Sequence, residues 1–264
     1  MDKANTKQHA RAEAARAKVK DRRRIKHTIP PTGEASKVVG RDKRTTIYPN
    51  TIHDPQPDSF VLTDGRFQRK IGGDVLVGRL KGARMYALSL IERETCPRTC
   101  PHWRDCYTNN MPLLKRWRHG KALEQALRRN VAQVCAEDWH VVIRLHISGD
   151  FYSWSYLKLW VELLDTYDNL TLFGFTAWPT STNIGAGIAR VRAALPDRFL
   201  IRTSDTSGEW GSFGVDFPTE LKFMGDAVVC PEQRDAMDTG KRSKHCGNCG
   251  VCFYTSRPIV FAGH

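Results

Sequence analysis

The sequence predicts an α/β protein: a partial or complete βα barrel-like parallel sheet with a C-terminal cysteine-cluster segment. Three observations carry that prediction. From residue 84, apolar stretches of strand length alternate with amphipathic stretches of helix length, the pattern of consecutive βα units. The unusual polar and sulfur residues fall where those strands end, and ligand sites in parallel sheets collect at the carboxyl ends of strands. A second set of thiols crowds residues 230–264.

The elements follow in order. Residues 1–46 read as a disordered basic arm and linker: Ala, Arg, Lys and Glu give 1–26 the composition of a frayed helix, and "HTIPPTGEASK" ends it. Residues 47–83 read as short strands. There "SFVLTDGRF" sets an Asp64-Gly65 turn between two strands, and "DVLVGRL" supplies a third. Residues 84–229 form the βα core. It opens with the strand "RMYALSLI" and a helix from Pro112, on which Leu113, Trp117, Leu123, Leu127, Val131 and Val134 recur at helical spacing. The strand "HVVIRLHI" comes next. A helix capped by Ser153 then carries Tyr156, Leu157, Trp160, Val161 and Leu164 on one side. "NLTLFGFTAW" is a strand, "TSTNIGAGIARVRAAL" a helix and "RFLIRTS" a strand. "SGEWGSFGVDFP" reads as loop, "DAVVC" as a short strand, and "RPIVFAGH" as the last strand of the segment 230–264.

Charge divides the chain. Of the net +13, residues 1–46 carry +9 and the remainder only +4. The run "KVKDRRRIK" has the composition to neutralise nucleic-acid phosphates without reading sequence, and equally that of a solvated tail. No apolar run reaches membrane-spanning length and the start lacks the apolar middle of a secretory signal, so a cytoplasmic location (bacterial or phage-infected host cytosol) and no membrane partner are expected. In that compartment the eight cysteines are expected to bind metal, act chemically or pack, rather than form disulfides.

Seven of the eight fall into two groups. Cys230, Cys246, Cys249 and Cys252 combine C-x2-C-x2-C with a remote Cys-Pro, which is the ligand pattern of ferredoxin-type clusters rather than of a zinc ribbon. His245 keeps a zinc site open as the alternative, since it could replace a thiol. In "TCPRTCPHWRDCY", Cys96, Cys100 and Cys106 are spaced C-x3-C-x5-C. Three thiols after the first strand, with no evident fourth ligand, suit a cluster that leaves one iron open to a small molecule. His102 and Trp103 read as loop packing.

The order of "MYALSLI", the three-cysteine loop, a helix and "VVIRLHISGD" resembles that of the radical S-adenosylmethionine enzymes. That resemblance implies one or two 4Fe-4S clusters and bound S-adenosylmethionine. Ser148, Gly149 and Asp150 would stand at the turn that contacts the methionine moiety, and Thr203, Ser204 and Asp205 would lie by the ribose. The spacing departs from that family's C-x3-C-x2-C, and Asp105 stands where it has an aromatic residue. A closer resemblance, over roughly residues 84–264, is to the phage "gene product 88" family. It rests on the early "CP…C…C" loop, the "SGDF" turn and the terminal "CPEQ…C-x2-C-x2-C" with its short final strand.

His146 and Asp150 are the candidate proton-transfer residues by position, although an Asp there could equally cap a helix. Strand alternation puts Arg144 and His146 on one face, and an inward arginine needs an anionic partner. Cys135 and Trp178 read as packing residues. Two function classes follow. One is an iron–sulfur enzyme that resembles the radical S-adenosylmethionine proteins and acts on or near nucleic acid. The other is a protein without catalysis: a zinc-stabilised nucleic-acid-binding protein, or an iron–sulfur protein that only binds or senses redox state.

Overall fold

The computed structural model describes residues 39–215, 226–234 and 243–262; the basic segment 1–26 and its linker to residue 37 lie outside them. Ten strands occur among the described residues: β1 (Ile52–His53), β2 (Thr63–Asp64), β3 (Arg84–Ala87), β4 (Arg116–Trp117), β5 (Val141–Leu145), β6 (Leu170–Thr176), β7 (Phe199–Ser204), β8 (Gly211–Val215), β9 (Val228–Val229) and β10 (Ile259–Ala262). Eight of them form one sheet in the order β2-β3-β5-β6-β7-β8-β10-β9, with β1 and β4 paired separately. Every pairing in the large sheet is parallel except β2 on β3. Mixed α/β with a mostly parallel central sheet therefore holds. Among the described residues no ladder joins the two outer strands into a barrel.

Three helices, α1 (Lys121–Cys135), α2 (Trp154–Thr166) and α3 (Asn183–Ala194), cover one face. Alternation along the strands explains the division. Val141, Ile143, Leu145, Leu170, Leu172, Phe199 and Ile201 pack against Leu123, Leu127, Tyr156, Leu157, Trp160 and Ile188 of the helices. Met85, Ala87, Val142, Phe173 and Leu200 point the other way, onto Ile71, Val75, Leu80 and Phe253, with Cys246 and Cys252 beside them. Truncating a helix-face residue such as Leu127 to Ala would cost about 2–5 kcal/mol. Cys135 is buried in this layer, as its helical spacing indicates.

Local chemistry sets the boundaries. Ser153 caps α2 by accepting from the Tyr156 amide at 3.1 Å. α1 begins only at Lys121, because Gly120 at φ 122° turns the chain into it. The helix predicted from Pro112 is thus corrected: Leu113 is 94 % exposed, and Arg116–Trp117 pair in parallel with Ile52–His53. Asp64-Gly65 does not turn a hairpin; Asp64 accepts from the Arg66 amide and opens a 3-10 turn over Gly65–Phe67. "DVLVGRL" contributes one bridge, Asp74 to Arg84, and a 3-10 turn instead of a strand. β8 lies in the stretch read as loop; its glycines hide a strand that gains its ladder from β7 and β10. No helix among the described residues is long and apolar enough to cross a membrane.

Candidate metal centres

The first thiol group sits on a loop fastened at several points. Leaving β3, the chain runs beside the end of β5, the Leu90 amide donating to Ser148 O at 2.8 Å. Glu92 is fully buried, and its Oε2 accepts from Arg116 Nε at 2.6 Å and from Ser148 Oγ at 3.0 Å. Its Oε1 accepts from Thr46 Oγ1 at 2.7 Å. Burial pushes this carboxyl up, but Arg116 and the donors outweigh burial and hold it below the usual glutamate value. Arg116 spends its other nitrogens on Thr51 Oγ1 and on the carbonyls of Thr108, Met111 and Leu114. Arg93 Nε donates to Trp103 O at 3.0 Å, which fixes the middle of the loop. Trp103 Nε1 donates to Lys43 O, so its indole packs the loop as its sequence context suggested.

Within that frame Cys96 and Cys100 lie within electrostatic reach of Cys106 and of Asp150. Burial raises all three thiols, Cys100 to about 12, and the neighbouring thiols and Asp150 add to the rise for Cys96 and Cys100. A cation bound there would therefore release protons. Cys106 Sγ lies 3.0 Å from Thr108 Oγ1. The Ser148-Gly149-Asp150 turn closes over Thr95: the Asp150 amide donates to Thr95 Oγ1 at 3.0 Å, and Gly149 adopts φ 82°. The Asp150 carboxylate accepts from Phe151 N at 2.7 Å, Thr176 Oγ1 at 2.8 Å and Ala177 N at 2.7 Å. It does not cap α2, a role that Ser153 fills. Burial pushes its pKa up to about 7, and the three donors restrain the rise.

His146 stands elsewhere. The strand ends at Leu145, and His146 takes φ 59°, which breaks the alternation. Its ring packs edge-on against Phe151 at 4.7 Å, and Nε2 lies 3.2 Å from Tyr156 Oη. The shared face expected for Arg144 and His146 is therefore corrected: His146 joins the helix layer, and burial lowers its pKa to about 3. Arg93, Asp205 and Trp210 are the other non-glycine residues at positive φ among those described, so this backbone strain collects at the rim of the sheet. Thr203 is buried at the end of β7, with Ser204 half-buried and Asp205 exposed. Trp178 Nε1 donates to Phe151 O at 2.7 Å, a packing role.

The second group sits on the face away from the helices. Cys246–Cys249 form a short turn of helix, α4, followed after Gly250 (φ 70°) by α5 (Val251–Tyr254). His245 caps α4 by accepting from the Asn248 amide at Nδ1, 3.3 Å away. The segment is sewn to the start of the sheet by Cys246 N to Lys70 O (2.8 Å), Gly247 N to Ile71 O (2.9 Å) and Leu76 N to Gly247 O (2.8 Å). Cys230 arrives from β9, its amide donating to Val260 O at 2.8 Å. The charges of all four thiols interact; burial raises Cys246, Cys249 and Cys252, the last to about 12. Among the described residues, no three His, Cys, Asp or Glu side chains converge on one point as ligands of a single metal ion do.

Two arginines share that face. Arg202 spends NH1 on Arg257 O at 2.9 Å and Gly211 O at 3.4 Å, and NH2 on Thr255 O. It ties the segment after α5 to β7. Arg144, on β5, is also buried and lies over the Phe175 ring at 5.7 Å. Burial would lower its pKa, but Cys246, Tyr107, Cys252 and Cys230 outweigh burial and raise it. Tyr107, next to Cys106, is half-buried, and burial raises its pKa. Glu92, Arg93, Arg116 and Tyr107 escaped the sequence reading. The run "ERE" directly after an apolar strand was the available signal for the first two.

A family model described as Gene product 88 matches residues 78–255, a span that holds both thiol groups. No curated protein and no solved structure matches the chain.

Proposed function

The chain belongs to the Gene product 88 family, and on that premise we propose that it is an iron–sulfur protein with two centres, one of them open to a small molecule. The observation that carries this reading is that Cys230, Cys246, Cys249 and Cys252 lie within electrostatic reach of each other, with Cys246 and Cys252 packed on the sheet face away from the helices. A four-iron cluster asks for neighbouring thiolates that each meet a different iron, whereas one zinc draws four ligands to about 2.3 Å of a single point.

At the loop group Cys96, Cys100 and Cys106 would hold a cluster through three thiolates, one short of a closed set. A cluster bound there would supply an electron to a bound small molecule. The chain's own residues do the rest. Gly149, at φ 82° and packed against Thr95 and Leu90, fixes the turn, while Ser148 is held by Glu92. Asp150, close to Cys96 and Cys100, is the group placed to hold or move a proton near neutral pH. S-adenosylmethionine is the first ligand to test, with Thr203, Ser204 and Asp205 toward its ribose. The basic arm adds salt-sensitive affinity for nucleic acid as substrate or scaffold.

Iron, acid-labile sulfide and zinc per chain, measured after anaerobic purification of wild type and Cys100→Ala, test the reading. About eight irons with equal sulfide, falling to about four in the variant, fit two independent four-iron centres. Zinc without sulfide overturns it in favour of a metal-stabilised binding protein.

A further inference from the structure

We propose that the Arg144 guanidinium is the built-in countercharge of the anionic metal–thiolate centre on Cys230, Cys246, Cys249 and Cys252. It thereby couples loading of that centre to the stability of the face on which it sits. The inference rests on the reading above and concerns a residue outside the ligand set.

A guanidinium carries five donors and always a charge. The other buried arginines meet most of that demand: Arg116 has a carboxylate, a hydroxyl and three carbonyls, and Arg202 has three carbonyls although its Nε is orphaned too. Arg144 is only 8 % exposed, yet among the described residues it makes no hydrogen bond and no ion pair, and its buried Nε is orphaned. Its guanidinium lies over the Phe175 ring at 5.7 Å. A buried charge left so is strongly unfavourable unless an anion completes it. Alternation along β5 points Arg144 to the side of Val142, where Cys246 and Cys252 pack. The groups whose negative charge would reach it are three thiols of that group, Cys246, Cys252 and Cys230, together with Tyr107. Four thiolates on an iron–sulfur cluster or on zinc leave the centre net negative, so one cation in the same low-dielectric space stabilises it. A positive neighbour also favours electron gain, so an iron centre beside Arg144 is reduced more easily than one without it.

The test uses the full-length protein, loaded and chelator-stripped, as wild type, Arg144→Met and Arg144→Lys. Denaturation midpoints, metal content and, for an iron centre, a redox titration are the readouts. In the stripped protein Arg144→Met removes a stranded charge, and its midpoint should rise above wild type. In the loaded protein the order should reverse, with the reduction potential displaced downward and Arg144→Lys close to wild type. Metal present with neither the reversal nor the potential shift overturns the inference and leaves the centre standing. Wild type without metal overturns both. Inorganic phosphate or acetate that stabilises stripped wild type as much as loading does, but not Arg144→Met, would show a free anion to be the partner and also overturn it.

Discussion

Replacing Glu92 by Gln removes one charge from a pair that no water reaches. The two side chains are 1 % and 0 % exposed, and Nε of Arg116 sits 2.6 Å from Oε2. An exposed pair of that geometry would contribute about 0–1 kcal/mol, but a buried arginine stripped of its carboxylate costs about 3–5 kcal/mol. The larger figure applies here, because every other partner of Arg116 is a neutral carbonyl or hydroxyl. Against a typical total of about 5–15 kcal/mol, that loss is severe. Urea denaturation of wild type, Glu92→Gln, Arg116→Met and the double variant measures it. The double variant no longer strands Arg116, although Arg93, 3.8 Å from the same carboxylate, still loses its ion pair, so it should lose less than the two singles added together. Since Glu92 also holds Ser148 and lies four residues before Cys96, the loop group should lose metal before the C-terminal group does. A Glu92→Gln loss under about 1 kcal/mol, or strict additivity in the cycle, would refute the argument.

Three further outcomes are expected. Burial raises the Asp150 carboxyl from 3.8 to about 7, so the folded state binds this proton more tightly than the unfolded state. Stability of metal-free protein should therefore fall as pH rises from about 4 to about 7 and then level, a span worth roughly 4 kcal/mol at about 1.4 per unit; in Asp150→Asn the urea midpoint should lose this slope. Gly149→Ala would place a methyl 2.5 Å from Thr95 Oγ1 and 2.7 Å from Leu90 Cβ at φ +82°. Left-handed strain and overpacking together should cost about 2–5 kcal/mol, read as a lower thermal midpoint. Cys135→Ala should lose about 1 kcal/mol of core packing with metal content unchanged; loss of metal in that variant would place the eighth thiol in a centre.

The alternation from β5 to β7 was legible because each element there has one dominant job, and periodicity reports that job directly. Ser153 and Cys135 were legible for the same reason. The misreadings share another physical origin. Leu113 and Trp117 fit helical spacing by number, but Gly120 at φ 122° and the partner strand at Ile52–His53 decide the backbone there. A single residue at positive φ, His146, reversed a face that alternation had assigned. β8 has too little apolar character to announce itself and owes its conformation to strands on both sides. At the candidate site the thiols and the turn at Ser148–Asp150 were visible as residue types. Glu92 and Arg116 were not, since a buried ion pair is defined by a partner 24 residues away.

The bonds that sew Cys246 and Gly247 to Lys70, Ile71 and Leu76 also set an order of events in time. His245 and Ile71 are separated by 174 positions, and contacts of such separation form late in folding. Cys96, Cys100 and Cys106 lie within eleven residues, so a local loop can gather them early. The Cys246–Cys252 turn, by contrast, has no wall behind it until the far edge of the sheet arrives. A refolding experiment should therefore show the loop group competent for metal first, and the rate of the second event should depend on residues 70–76, not on the thiols themselves.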